Sequence, residues 1–241
     1  MSTVLTGPVQ VASQTLHSSS ADKYHNLGDT VFANDGRAFR YCKAGSTALV
    51  AGKLQQSSAE DTGLQNLTAV AASAGDLSIA ASTTVTVTAN EYAEGFILVT
   101  VTPGVGRVYK VKGHTAYTAA APTFNTFDSV AVALTTTSRL DAVRNLYSAV
   151  IVAPTTFSSA PTGVAIHPIA AGEFGWLQVG GVASVLADGA NAVGVGVVTS
   201  NGVAGAVEDA AAPVTQATLV GVCVTGVADT EYGAVKLQGL L

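Results

Sequence analysis

The chain has 241 residues, 11 Lys and Arg against 16 Asp and Glu, and a net charge of −5. Only 11% of it is charged, where a globular protein carries about 25%, and although 48% is apolar the aromatics are only 6%, so the excess is Ala and Val among 25 Gly. This excludes an acidic or basic disordered chain, and the acidic balance argues against nucleic-acid binding, which rests on Lys and Arg neutralising phosphates.

No membrane span is predicted. The uncharged, apolar-looking stretch near the C-terminus, residues 210–228, is broken by Pro213, Thr215, Gln216, Thr218 and Thr225, and its apolar residues alternate. The opening MSTVLTGPVQ has neither a basic n-region nor an apolar h-region, so synthesis in a cytosol is expected. The two cysteines, Cys42 and Cys223, are then read as reduced thiols.

In chain order, residues 1–28 read as an extended arm, with Gly7-Pro8 early, a polar stretch from Ser18 to Lys23, and no lasting periodicity. Such an arm packs on its own domain or reaches a neighbour. From Asp29 onward β signals dominate. Residues 30–33 and 37–43 are expected to form a hairpin around Asn34-Asp35-Gly36. Residues 49–54 continue the sheet, and residues 66–72 form a strand after the loop Glu60-Asp61-Thr62-Gly63. Residues 83–88, Thr-Thr-Val-Thr-Val-Thr, alternate as a half-solvated strand should. Residues 95–102 and 107–112 flank the turn Pro103-Gly104-Val105-Gly106, and residues 129–134 and 148–152 are further β runs. The one place for a helical turn is residues 138–147.

The last third holds a repeat. Residues 163–180, GVAIHPIAAGEFGWLQVG, align without a gap at an offset of 58 with residues 221–238, GVCVTGVADTEYGAVKLQ. Gly163 matches Gly221, Glu173 matches Glu231, Phe174 matches Tyr232 and Gly175 matches Gly233, so the shared pattern is strand, Glu-aromatic-Gly corner, strand. It predicts repeated β units or two edges of one barrel. Strands recurring about every ten residues between Gly, Asn and Asp breaks predict an all-β chain of barrel or sandwich units in tandem. The expected division is an arm, 1–28, a first β domain, 29–160, and a second, acidic β domain, 161–241. Charge supports two faces: residues 1–144 carry ten acids and ten bases, and residues 145–241 carry six acids and the single base Lys236.

No catalytic, cofactor-binding or metal-ligating set emerges. His17, His25, His114 and His167 stand at no metal-ligand spacing, and neither cysteine has a Cys or His partner at such spacing. Gly104-Val105-Gly106 and Gly194-Val195-Gly196 lack a third glycine and a following helix, and no GxSxG elbow occurs. Glu91 and Glu94 form the nearest carboxylate pair and read as solvated acids of a turn. The segment Arg37, Phe39, Arg40, Tyr41, Lys43 is the nearest thing to a binding strip. At period two, Arg37, Phe39, Tyr41 and Lys43 share a face and Arg40 points away. Its aromatics either pack inward while the charged ends reach solvent, or the strip docks on an acidic partner. Trp176, the sole tryptophan, is a core residue or an interface anchor. These six residues are the candidate interface.

The runs Asn26-Leu27-Gly28-Asp29, Asn34-Asp35-Gly36-Arg37-Ala38-Phe39-Arg40-Tyr41, Lys43-Ala44-Gly45 and Gly52-Lys53-Leu54-Gln55-Gln56 resemble proteins of the structural modules of tailed bacteriophages. So do Gly175-Trp176-Leu177-Gln178, Val185-Leu186-Ala187-Asp188-Gly189 and Asp229-Thr230-Glu231-Tyr232. The resemblance runs from about Asn26 to the end and rests on turn and strand patterns. It implies a virion component on the capsid surface, a decoration or cement protein without catalytic residues, partnered by the major capsid protein and by sibling copies, with a homotrimer expected. Another virion position, in the tail, the head-tail connection or a spike, and a carbohydrate-binding β protein are the other readings the residues leave open.

Overall fold

Dense β-branched residues broken by Gly, Asn and Asp favour short paired strands, and the computed structural model is built of them. It describes residues 16–118, 121–156, 158–210 and 218–238. Among these are sixteen strands, a single 3-10 turn at Thr62–Leu64, and no α-helical element. The all-β expectation holds.

Strands β1 (Thr30–Phe32) and β2 (Ala38–Lys43) form the expected hairpin, pairing Val31 with Phe39. Gly36 takes the positive φ, +83°, that closes its turn. Strand β3 (Leu54–Gln56) follows. The chain then builds a separate unit, Glu60–Asn145, from β4 (Leu67–Ala69), β5 (Ser78–Ser82), β6 (Phe96–Val101), β7 (Val108–His114), β8 (Thr123–Thr126) and β9 (Arg139–Val143). These close into a barrel in the order β4-β5-β8-β7-β6-β9, around a core that includes Ile79, Tyr92, Ile97, Val111, Phe124 and Leu140.

The other unit, Met1–Ala59 with Leu146–Leu241, adds β10 (Ile151–Val152), β11 (Pro161–Ala165), β12 (Phe174–Leu186), β13 (Gly196–Thr199), β14 (Val207–Asp209), β15 (Leu219–Cys223) and β16 (Tyr232–Leu237). Its curled sheet runs β10-β3-β11-β12-β16-β15-β13-β14, with β2 also paired to β12. The units therefore divide at residues 59/60 and 145/146, and the boundary expected at 160/161 lies inside one of them. Strands from both sides of residue 160 share one sheet, since β3 pairs with β11 and β2 with β12.

The offset of 58 reappears in the strand registers. Val164 pairs with Gln178 and Ala165 with Leu177; Val222 pairs with Lys236 and Cys223 with Val235. The correspondence then extends to segments whose letters hide it. Leu54 pairs with Val164 as Gly196 pairs with Val222, and Phe39 pairs with Gln178 as Val182 pairs with Lys236. Val152 meets Gln55 as Asp209 meets Val197. Parallel bridges Ala44–Val150 and Ala187–Val207 tie the ends of each set. The unit is thus two copies of one five-strand motif, β10-β3-β11-β12-β2 and β14-β13-β15-β16-β12. The long β12 serves both, and its second half stands where β2 stands in the first copy.

The same correspondence places the barrel. Ser57 N donates to Ala160 O at 3.0 Å, as Thr199 N does to Thr218 O at 3.2 Å. The second copy passes from Thr199 to Val207 by a short loop, and the first inserts Glu60–Asn145 at that place.

Several expected elements differ. Residues 83–88 alternate in burial, with Val87 buried, but form only the bridge Val87–Tyr117. Alternation reports which side chains face a core; it supplies no partner strand. Residues 129–134 contribute only the bridge from Leu134 to Ala72. Residues 138–147, expected as a helical turn, contain β9, whose Leu140 and Ala142 face the barrel core because β4 and β6 pair with it on both sides. Strands β5 and β8 are short and rich in Ser, Ala, Thr and Asn, a composition that gives little β signal.

Candidate functional site

The binding strip is placed by the β1–β2 hairpin. Its aromatics turn inward: Phe39, Tyr41 and Trp176 are buried in a cluster with Leu16 and Val31, bordered by Leu27, Ile166 and Phe174. The Tyr41 ring stacks on Phe174 at 5.8 Å and meets Trp176 edge-on at 5.0 Å, and His25 packs against both Tyr41 and Trp176. Tyr41 Oη also accepts from Tyr24 N, and desolvation raises its phenol above the ordinary value. Phe39, Tyr41 and Trp176 are therefore inside the unit rather than on a free face. Trp176 is a core residue in this fold.

The cations border this cluster. Arg37 Nε donates to Asp35 Oδ2 at 2.7 Å and its guanidinium lies over the Phe39 ring. The backbone N–H and guanidinium of Arg37 hold the exposed Asp35 carboxyl below the ordinary value. Arg40 donates to Gly28 O at 2.9 Å and covers Tyr147, and Lys43 Nζ sits 5.4 Å from the Phe174 ring centre. The structure brings the six candidate residues together, but as one packed wall in which the aromatics are covered by residues 16–33. The described part of the expected arm, residues 16–28, lies on its own unit, with Ser20 bridged to Phe174 in both directions. Residues 1–15 lie outside the described residues.

In the barrel unit, Glu91 binds Arg144 and also accepts from Thr88 N and Oγ1. Tyr92 Oη donates to Asp61 at 3.3 Å beneath the Arg144 guanidinium, and its phenol is pushed well up by burial, with Arg144 opposing. His114 is buried, its Nε2 accepting from Tyr92 N at 2.9 Å and its Nδ1 facing Thr115 O at 2.9 Å. This fixes the proton on Nδ1. Among the described residues no group of three or more His, Cys, Asp or Glu could hold a metal ion.

Two surfaces escaped the sequence reading, an apolar face and a mixed cleft. The first is the outer wall of the barrel. Phe96 pairs with Val143 on one side and Lys110 on the other, and Leu98 pairs with Val108. Phe96, Val108 and Val143 are exposed, and Lys110 Nζ lies over the exposed Phe127 ring. The signal was the unbroken apolar run Phe96-Ile97-Leu98-Val99, which reads as a strand covered on both faces; here Ile97 and Val99 alone face the core.

The second lies in the duplicated unit. A cleft of about 390 Å³ is lined by Arg37, Gly52, Ile166, Gln178, Val182 and Tyr232 among others. Buried Gln178 donates through Nε2 to Gly180 O and Val182 O.

In comparisons with protein families, with characterised proteins and with solved structures, nothing matches this chain.

Proposed function

We propose that the protein is a structural component of a tailed-phage virion, a decoration protein that binds the outer surface of the head and stabilises it by non-covalent contacts. The observation that carries the reading is the apolar outer wall of the barrel, Phe96, Leu98, Val108 and Val143, in a chain with so few charges. Apolar side chains clustered on a wall, beside Lys110 and Asp141 as the partners of Phe96 and Leu98, are what a protein contact covers, and charge is sparse in interface cores. Many copies on a symmetric shell make a modest contact sufficient. The major capsid protein is the partner of this wall, and the symmetric oligomer, expected as a trimer, belongs to the same proposal. The hairpin takes a smaller part than the sequence suggested, because Phe39 and Tyr41 are already covered.

The test is attachment. The double variant Phe96→Asp, Val108→Asp keeps its inward-facing core and should melt as the parent does, yet fail to occupy undecorated heads. Full occupancy by that variant would sink the reading. Electron microscopy of complete particles, with the protein found on a tail or spike, would move it to another virion position.

A further inference from the structure

Tyr41 in the first copy and Ser184 in the second hold the same place: Tyr41 pairs with Trp176 as Ser184 pairs with Ala234, 58 residues further on. Each turns a backbone N–H and C=O away from that partner. At Tyr41 both are taken, since its N donates to Asp29 O at 3.0 Å and its O accepts from Gly28 N at 2.8 Å. At Ser184 none of the described residues takes them. Leu186 N donates outward to Gly52 O at 2.9 Å and Val182 O accepts from the Gln178 amide, so alternation points the Ser184 pair into the cleft between them.

The cleft is walled at both ends. Gly52 closes the Leu186 end, with Tyr232 so near that a Cβ on Gly52 would sit 2.5 Å from its ring. Arg37 closes the Val182 end, its Cα 3.0 Å from where a Cβ on Gly181 would lie. The strand between, Val182 to Leu186, is about 14 Å long, room for three or four residues of a partner. Of the guanidinium nitrogens of Arg37, only Nε has a partner among the described residues, Asp35, which leaves the two Nη groups to a ligand. Lys236 pairs with Val182 across the ladder and adds a second cation at this end.

We infer that the cleft binds the C-terminal end of an extended peptide from another protein. The peptide adds antiparallel to β12 and exchanges both backbone hydrogen bonds with Ser184, as Gly28 and Asp29 do with Tyr41. In that direction its chain advances toward Val182. The first copy's β1 runs the same way and passes on through the turn at Asn34-Asp35-Gly36. In the second copy Arg37 stands across the path, so the occupant ends there and its terminal carboxylate accepts from the Nη groups. Val182 and Tyr232, 48% and 51% exposed, give an uncharged β-branched side chain its apolar contact.

Titration of the full chain with acetyl-Val-Thr-Val carrying a free carboxylate tests this. The Ser184 amide resonance should shift and its hydrogen exchange slow, while the Tyr41 amide stays unmoved. The same tripeptide closed as a C-terminal carboxamide should bind at least about tenfold more weakly, and so should the acid to Arg37→Gln. If that variant does not fold, the carboxamide comparison decides alone. Equal affinity for acid and carboxamide overturns the inference, as does binding that leaves Ser184 unmoved, or no binding at millimolar peptide. Lactose is the probe for a sugar in the same cleft: a Ser184 shift with lactose and none with the peptide overturns it as well.

Discussion

Asn191 stands in the second motif where Leu49 stands in the first: Leu49 pairs with Ile169 and Asn191 with Val227, the two partners being 58 residues apart. Leu49 is buried among Cys42, Ala44 and Leu177. Asn191 is equally buried, and neither Oδ1 nor Nδ2 of its amide has a hydrogen-bond partner. A buried amide without partners costs free energy that an apolar side chain of similar size does not. Asn191→Leu should therefore raise stability by about 1–3 kcal/mol, read as a higher urea midpoint at unchanged slope. A loss of stability instead would mean that an ordered water bonds the amide.

Equivalent glycines mark a close approach of two paired strands within each copy. A Cβ on Gly221 would sit 2.2 Å from Lys236 O, and one on Gly163 2.8 Å from Gln178 O, at φ +142°. Backbone cannot give way as a side-chain tip can. Gly221→Ala should destabilise the unit by about 1–3 kcal/mol, the usual cost of overpacking. Gly196→Ala, whose Cβ would meet nothing nearer than 3.7 Å, is the control and should change the melting temperature little.

Stability should fall at alkaline pH. Burial raises the Cys42 thiol and the Tyr92, Tyr147 and Tyr41 phenols above their ordinary values of 9.0 and 10.0. Above about pH 9 the unfolded chain releases these protons while the folded chain holds them, so the unfolded state binds fewer and stability declines with pH. Their contribution is complete below pH 9 and is lost as pH climbs toward the raised values. Chemical unfolding from pH 7 to 11 should show a flat midpoint to about pH 9 and then a decline, shallower in Tyr147→Phe. A midpoint rising through pH 10 would contradict the burial argument.

The barrel should be dispensable to the unit that carries it. The second motif closes with only the short connection from Thr199 to Val207. Replacing residues 60–145 by a few Gly and Ser should leave a chain that unfolds cooperatively, with the wholly buried Cys42 unreactive toward thiol reagents until it unfolds. Rapid labelling of Cys42 under native conditions would show that the barrel is needed for folding.

The β1–β2 hairpin and the β6–β7 hairpin were legible because turn chemistry and alternation are local, and so were the two Glu-aromatic-Gly corners. The inserted barrel was not. Its boundaries depend on Gln55 meeting Val152 and on Ser57 meeting Ala160, pairings between segments about a hundred residues apart. The candidate site divided along the same line. The period-two pattern put Phe39 and Tyr41 on one face correctly, but whether that face was open depended on residues 16–33 folding over it.

By itself the sequence determined the all-β character, the turns, and an acidic last portion, because each follows from composition and spacing within about ten residues. Only the tertiary structure decided that residues 38–56 repeat as residues 181–198. With one gap these segments share little beyond Ala44 with Ala187, Ala48 with Ala190 and Gly52 with Gly194. A β ladder is held by backbone hydrogen bonds that every residue but proline makes alike, so the register survives where the letters do not.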